Sequence, residues 1–310
     1  MNNGPVQKDP PACSVCGEPA VIHQRHVGRY LCGTHLIADL GQRVSETIAS
    51  RQQVVPGDCV AVALSGGKDS TALLLILHRL FGSRSDVRLV AITVDEGISG
   101  YREATVRSAV GLVRQLGIEH ITVSFEELFG DTLDMFLNGR EPEACSICGI
   151  LRKKALVAGA ERAGATKLAT GHNLDDEAQS VLMNVLRGDL MRLVRDSGRE
   201  SSGRFIPRIK PLMYVQEKEI ATYLMVQGIW DLPECPYAIH ALRREVRSVL
   251  SGLEYRHPGT MLRLMENKKT VATAFGGKAP GEPVGTCREC GEPCSGETCQ
   301  VCRLRHSLGF

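Results

Sequence analysis

A short polar loop constrains the fold most strongly, because it joins a strand-like apolar run to a helix-like run. The loop is Ser65-Gly66-Gly67-Lys68-Asp69-Ser70; it follows Cys59 to Leu64 and leads into Ser70 to Leu80, where apolar side chains recur at helical spacing. Glycine lets a backbone turn tightly and approach an anion, and a helix N-terminus offers unpaired N–H groups. The loop therefore predicts a phosphate-binding turn, although its spacing is not that of a Walker A loop.

Strand-like and helix-like patterns continue to alternate after this loop. Further strands are predicted at Arg88 to Val94, His120 to Phe125 and Lys167 to Thr170, and further helices at Glu103 to Leu116, Cys148 to Ala163 and Asp175 to Leu186. This order predicts an α/β fold with a doubly wound parallel sheet, in which ligands bind at the carboxyl ends of the strands. Asp95 ends the second strand, so we expect its carboxylate to point toward a nucleotide; a structural N-cap is the other interpretation.

Cysteine pairs at both ends of the chain predict two zinc modules. The chain has 12 cysteines and shows no secretory signal at its N-terminus, so metal binding is a better interpretation than a disulfide framework. The spacing of two knuckles selects four ligands in each module: Cys13, Cys16, Cys32 and His35 in the first, and Cys287, Cys290, Cys299 and Cys302 in the second. His23 and His26 are competing ligands, and Cys294 is left over.

A third group of cysteines lies in the middle of the chain. Cys145 and Cys148 are three residues apart and precede a predicted basic helix with Arg152, and Cys235 lies in a later Glu-Cys-Pro-Tyr segment. Three thiolates can hold an iron–sulfur cluster and leave one iron open. The alternative, which the spacing does not exclude, is two buried structural thiols and one unrelated cysteine.

An acidic turn follows the fourth predicted strand. Its sequence is Gly171-His172-Asn173-Leu174-Asp175-Asp176-Glu177. Paired carboxylates at a strand–helix junction suit Mg²⁺ coordination or acid–base chemistry near phosphates. They suit helix N-capping equally well, and His172 suits an ordinary polar turn.

Together these motifs resemble the tRNA 2-thiouridine synthetases of the PP-loop ATP pyrophosphatase superfamily. The similarity is strongest to the branch with two zinc modules, which includes archaeal and eukaryotic cytosolic wobble-uridine thiolases and the T-loop uridine thiolase of thermophiles. The resemblance implies a fold like that of the adenine nucleotide alpha hydrolases. It also implies ATP-dependent adenylation of a uridine C2 oxygen and sulfur transfer that gives 2-thiouridine, at wobble position 34 or at T-loop position 54.

The resemblance also assigns roles to residues. It implies a [4Fe-4S] cluster on Cys145, Cys148 and Cys235, with a disulfide or persulfide role for these cysteines as the alternative. It places Asp176 and Arg152 in catalysis beside ATP; because some members carry lysine where this chain has Arg152, its role is expected to be electrostatic. The nucleotide and Mg²⁺ are expected to bind the six loop residues from Ser65 to Ser70, Asp95, Gly171, His172 and Asp175.

The expected partners are tRNA and a sulfur donor, either a ubiquitin-like thiocarboxylate protein or sulfide. A net charge of +2 requires any RNA surface to be local, and basic residues cluster at Arg187, Arg192, Arg195, Arg199, Arg204, Arg208 and Lys210, at Arg243, Arg244 and Arg247, and at Lys268, Lys269, Arg303 and Arg305. A solvated helix face also explains such clusters.

Apolar runs are too short for a membrane span, and a cytoplasmic homodimer is expected from the resemblance.

The sequence suggests five regions: a zinc module at 1–36, a connecting helix at 37–55, a PP-loop catalytic domain at 56–235, a helical extension at 236–276 and a zinc ribbon at 277–310. Three other functions stay open. Two are enzymes, a tRNA cytidine 2-thiolase and another PP-loop tRNA-modifying ligase. The third is a zinc-ribbon RNA-binding protein without catalysis.

Overall fold

A computed structural model describes residues 10–189, 191–192, 206–230, 233, 235–237, 243–274 and 285–309. Arg195, Arg199, Arg204 and most of the Gly/Pro-rich segment that begins the predicted zinc ribbon lie outside these ranges. Within the ranges, no helix has the length and apolar character that a membrane crossing requires.

The centre of the fold is a parallel sheet. The strands of the chain are β1 (Ile22–Gln24), β2 (Arg29–Leu31), β3 (Cys59–Ala63), β4 (Arg88–Asp95), β5 (Glu119–Ser124), β6 (Lys167–Ala169), β7 (Arg208–Ile209), β8 (Gly285–Thr286) and β9 (Pro293–Cys294). Within the described ranges the central sheet has five strands in the order β5-β4-β3-β6-β7, all parallel. Ala61 of β3 pairs with Val90 on one side and Leu168 on the other. This confirms the predicted α/β class.

Helices cover both faces of this sheet. They are α1 (Gly33–Ser50), α2 (Lys68–Phe81), α3 (Arg102–Leu116), α4 (Phe125–Phe129), α5 (Leu133–Leu137), α6 (Ala144–Arg162), α7 (Leu174–Leu186), α8 (Glu217–Val226), α9 (Arg243–Arg256), α10 (Thr260–Ala274) and α11 (Gln300–Leu308). Val60 and Val62 pack with α1, α2 and α8, whereas Ala61 and Ile92 pack against α6. Gly159 lets α6 approach closely, because a Cβ there would lie 2.7 Å from Ile92. Strands buried on both faces explain the apolar runs in the sequence.

The chain extends this core with two small modules and a helical layer. In the N-terminal module, β1 and β2 form an antiparallel hairpin, and α1 begins directly after Cys32. Helix α1 therefore runs through position 36, where the sequence suggested a boundary. In the C-terminal module, β8 pairs with β9, and α11 packs Val301, Leu304 and Leu308 on the apolar cluster that contains Cys148. Helices α9 and α10 pack against α7.

One predicted helix boundary is wrong. The sequence pattern began a helix at Cys148 and so left Cys145 outside it, but α6 begins at Ala144 and contains both cysteines. A 3₁₀ turn over Glu141–Glu143, with a proline in it, leads directly into the helix. The apolar spacing misses this first turn because Cys145 is exposed, whereas Ala144, Ile147 and Cys148 are buried.

Candidate active site

The polar loop closes tightly between β3 and α2. Gly66 has a φ of +81°, and a Cβ at this position would lie 2.3 Å from the carbonyl oxygen of Thr105, so only glycine fits. The hydroxyl groups of Ser65 and Ser70 form a hydrogen bond across the loop, with their Oγ atoms 3.0 Å apart. Helix α2 begins at Lys68 with no side-chain cap from Gly67. The helix N-terminus thus faces the loop, which is the arrangement that phosphate groups prefer.

Lys68 is surrounded by carboxylates. Its Nζ lies 3.0 Å from Asp69 Oδ2 and 2.8 Å from Glu217 Oε1. Burial opposes the charge of Lys68, but these two carboxylates raise its pKa above the ordinary value. A phosphate that binds the loop would compete with Glu217 for this ammonium group. No sequence motif indicated Glu217, because it lies on α8, far from the loop along the chain.

The acidic turn rests directly on the loop. A Cβ on Gly171 would lie 2.9 Å from the backbone nitrogen of Ser70, so glycine permits this contact. Asn173 donates from Nδ2 to Asp69 Oδ1 at 3.0 Å and thereby joins the two segments. Asn173 and Asp176 also form a capping box at the start of α7. The capping interpretation of this turn therefore accounts for the position of Asp176, whose Oδ1 lies 3.5 Å from Arg243.

Two other carboxylates of the turn have unusual surroundings. Burial and the neighbouring carboxylates of Glu217 and Asp176 raise the pKa of Asp175 to about 6, and its Oδ2 accepts a hydrogen bond from the Glu217 backbone. A bound cation would relieve that repulsion. Glu177 is buried and accepts a 2.6 Å hydrogen bond from Lys210. The sequence placed Glu177 in the acidic turn and Lys210 in a basic cluster, but no motif indicated that the two residues pair.

His172 and Asp95 are the remaining predicted nucleotide ligands. His172 is exposed, with Nδ1 2.9 Å from the hydroxyl of Thr170. Asp95 accepts a 3.0 Å hydrogen bond from the backbone nitrogen of Gly97, so its carboxylate closes the turn after β4. This contact is an Asx turn and not the N-cap that was the structural alternative, since the N-cap residue of the next helix, α3, is Tyr101.

The central cysteines meet near the start of α6. Cys145 is exposed and lies 3.7 Å from the carbonyl oxygen of Tyr237, close to Cys235 in the chain. Cys148 and Cys235 belong to the same apolar cluster. Burial raises the pKa of the Cys148 thiol to about 12, and Arg152 only partly opposes this. Burial also raises the pKa of Cys235. These thiols require a metal or another strong cation to become thiolates near neutral pH.

Arg152 connects Cys148 with a residue that the sequence did not suggest. It donates from one terminal nitrogen to Cys148 Sγ at 2.9 Å and from Nε to Glu96 Oε1 at 2.6 Å. Glu96 is 3% exposed and lies one residue beyond the end of β4. Its position directly after the second strand could have indicated a site residue, but the sequence analysis assigned the site role at this strand end to the adjacent Asp95.

The terminal cysteines converge as their spacing predicts. In the described part of the chain, the ligand atoms of Cys13, Cys16, Cys32 and His35 lie within 4.8 Å of one another, and so do those of Cys287, Cys290, Cys299 and Cys302. Sulfur–sulfur distances of 3.7 and 3.8 Å match the separation of about 3.8 Å that tetrahedral Zn–S bonds of ~2.3 Å require. Both donor sets therefore fit zinc.

The three leftover candidates, His23, His26 and Cys294, belong to neither ligand group. His23 stacks on Tyr30 with ring centroids 4.0 Å apart, away from the first ligand group. Cys294 donates to the carbonyl oxygen of Gly296 at 2.9 Å and is not part of the second group.

A parallel sheet with this loop after its first strand, and a group of cysteines near the same sheet edge, defines a PP-loop nucleotide-binding protein. Residues 39–247 match the profile of the PP-loop domain, and residues 13–37 match that of the N-terminal LIM domain of the 2-thiouridine synthetase TtuA. The chain belongs to the tRNA 2-thiouridine synthetase family of PP-loop proteins.

Individual relatives agree with this family. The chain is 38% identical to the tRNA 2-thiolation protein NcsA of Haloferax volcanii, over 96% of this chain and 98% of that protein. It is 37% identical to cytoplasmic tRNA 2-thiolation protein 1 of Mus musculus, over 96% of this chain and 73% of the relative. The solved structure of the U34-tRNA thiolase NcsA from Methanococcus maripaludis, with its [4Fe-4S] cluster, superposes with a TM-score of 0.83 at 32% identity, covering 96% of this chain and 97% of that one.

Proposed function

We propose that this protein is an ATP-dependent tRNA-uridine 2-sulfurtransferase that converts the wobble uridine, U34, to 2-thiouridine. ATP adenylates the C2 oxygen and releases pyrophosphate; a sulfur nucleophile then attacks C2 and AMP leaves. The observation that carries this proposal is one continuous chain of contacts from the phosphate loop, through Arg102, Glu96 and Arg152, to Cys148. The whole-length similarity to NcsA, whose solved relative is a U34 thiolase, favours position 34 over position 54.

ATP is proposed to bind with its phosphates on the loop from Ser65 to Ser70. The loop amides and Lys68 stabilise the charge that develops on the pyrophosphate leaving group. Asp175 is the carboxylate best suited to Mg²⁺, because burial and two negative neighbours raise its pKa, and a bound cation would offset both effects. Asp95, Gly171 and His172 complete the proposed nucleotide site, and Asp176 is proposed to act beside ATP.

The cysteine region is proposed to hold a [4Fe-4S] cluster on Cys145, Cys148 and Cys235. When bound, such a cluster supplies an iron that is open to hydrosulfide. The fit is chemical: Cys148 and Cys235 share one apolar cluster, and Cys145, on the same helix as Cys148, contacts the backbone of Tyr237 beside Cys235. None of these three belongs to the compact single-ion groups found at the termini. Arg152 contributes a fixed positive charge next to Cys148.

Both terminal groups are proposed to bind structural Zn²⁺, because each has four ligands and so leaves no open coordination position.

The proposed RNA surface includes Arg243, Arg244 and Arg247 on α9, which lies against α7 near the acidic turn. Binding through such residues weakens steeply with salt. We further propose that the sulfur donor is a protein thiocarboxylate or sulfide. The protein is proposed to act in the cytoplasm as a homodimer.

The function is tested by incubating anaerobically purified protein with ATP, sulfide and unmodified tRNA. Mass spectrometry of the digested tRNA is expected to show 2-thiouridine at position 34, with one AMP formed for each thionucleoside. Protein that binds tRNA normally but forms no thionucleoside contradicts the proposal. Thiolated cytidine indicates the cytidine thiolase instead, and AMP release without any thionucleoside indicates another PP-loop ligase. Normal tRNA binding without AMP release indicates the non-catalytic RNA-binding protein.

The C-terminal module supplies a second prediction. Replacing Cys287 with serine is expected to remove one zinc per chain and to lower the unfolding temperature, since α11 packs on the Cys148 cluster and Lys154 pairs with Glu292. Elemental analysis and thermal unfolding measure both effects. Cys294→Ser is the matched control in the same module and should retain two zinc ions. Equal zinc contents in the two variants would show that Cys287 is not a ligand.

A further inference from the structure

We infer that Glu96 is a positioning residue that couples the nucleotide loop to the cysteine region by holding Arg152 against Cys148. This inference rests on the proposed function. Glu96 lies at the carboxyl end of β4, the edge of the sheet where ligands of parallel α/β folds bind. Its backbone carbonyl also accepts a 2.7 Å hydrogen bond from Leu133, which fixes the residue after the strand.

Glu96 uses both carboxylate oxygens, one for each arginine. Oε1 lies 2.6 Å from Arg152 Nε, and Oε2 lies 2.6 Å from Arg102 Nε. The side chains of Glu96 and Arg102 are 4% and 3% exposed. The two guanidinium groups offset the charge of the buried carboxylate, although Oε2 and Arg102 Nε pair by charge without the alignment of a hydrogen bond. Loss of the carboxylate charge would leave two like charges facing each other.

Arg102 carries the connection to the nucleotide loop. One terminal nitrogen donates to the carbonyl oxygen of Ser65 and to the hydroxyl of Thr105, each at 2.7 Å, and the other donates to Val94. These contacts do not pass through Glu96, so Arg102 keeps three acceptors when Glu96 is changed. The nucleotide loop should therefore survive loss of the Glu96 charge.

Arg152 provides the contact with the cysteine region, and fewer contacts fix its side chain than fix that of Arg102. Its side chain is 45% exposed, and its guanidinium contacts Glu96 on one side and Cys148 on the other. A long, half-exposed arginine has many rotamers, and a buried carboxylate that fixes Nε selects one of them. Without Glu96, the guanidinium loses the partner that directs it toward the sulfur.

The test is Glu96→Gln, which keeps the size of the side chain. Residues that orient a metal ligand contribute about 10- to 100-fold, so kcat for thiolation is expected to fall by that factor. The Kd of ATP, measured by calorimetry, should change less than about threefold, and iron content should stay the same. The crystal structure of the variant should show Arg152 displaced from Cys148. Glu103→Gln, an exposed change of the same type on α3, should leave all four quantities unaltered.

A double-mutant cycle separates positioning from general stabilisation. If Glu96 acts through Arg152, adding Glu96→Gln to Arg152→Gln should lower kcat by less than about twofold further. Multiplicative losses, unchanged kcat in Glu96→Gln, or a loss of ATP binding and iron would each overturn the inference. If Glu96→Gln does not fold, Glu96→Asp keeps the charge but shortens its reach; it should lose kcat selectively, and wild-type kcat in that variant overturns the inference. Wild-type protein that forms no 2-thiouridine contradicts the proposed function itself, independently of Glu96.

Discussion

Lys68→Ala is expected to lower ATP-dependent AMP release by about a hundredfold or more. The lysine is the cation of the phosphate loop, and loss of one preorganised donor to a developing negative charge costs roughly 100- to 1,000-fold. The substitution also leaves Asp69 and Glu217 without the ammonium group that now lies between them. These carboxylates would then repel the incoming phosphates, so ATP binding should weaken together with turnover.

Chromatographic measurement of AMP in single-turnover reactions checks this prediction. Lys218→Ala is the matched control, because Lys218 is an exposed lysine one residue after Glu217 on α8. It should retain AMP release within about twofold. Lys68→Ala protein that still releases AMP at more than a third of the wild-type rate would show that the loop does not bind the reacting phosphates through this residue.

Local patterns made the scaffold predictable. The strand–loop–helix from Cys59 to Phe81 follows from apolar periodicity and two glycines, and the structure confirms it to within a few residues. The terminal ligand groups follow from knuckle spacing, because two short pairs have few ways to close a tetrahedron. In both cases the residues that make contact are near neighbours in sequence, or are repeated pairs with a recognisable interval.

The connections within the site were not predictable in this way. Glu217 reaches Lys68 because α8 packs beside α2, and Glu96 reaches Arg152 because β4 and α6 adjoin in the fold. Neither contact leaves a periodicity or a spacing in the sequence. The association of Cys235 with Cys148 was predicted, but only from the resemblance to a known family. The interval between the two residues along the chain does not by itself indicate that they are close in the fold.

Cys148→Ser is expected to reduce 2-thiouridine formation by roughly a thousandfold or more, an effect comparable with removal of a central member of a catalytic unit. Serine fits the space of Cys148, but its hydroxyl is a poor ligand for iron, so the bound iron and inorganic sulfide should also be lost. Pyrophosphate release is expected to fall far less, because adenylation precedes the sulfur step and the phosphate loop at the start of α2 keeps its own contacts. The measurements are thionucleoside yield, pyrophosphate yield and iron content on one anaerobic preparation.

Cys59→Ser is the matched control for this change, since Cys59 is a buried thiol at the start of β3 whose Sγ lies 3.8 Å from the carbonyl oxygen of Ala163. It should keep both iron and thiolation. Cys148→Ser protein with wild-type thiolation would contradict any role of this cysteine in sulfur transfer. If thiolation is lost but the wild-type protein contains no iron, the cysteines act through a disulfide or persulfide, because the same thiol is then required without a cluster. The ratio of pyrophosphate to 2-thiouridine therefore separates the two halves of the reaction, and the iron content separates the two sulfur chemistries.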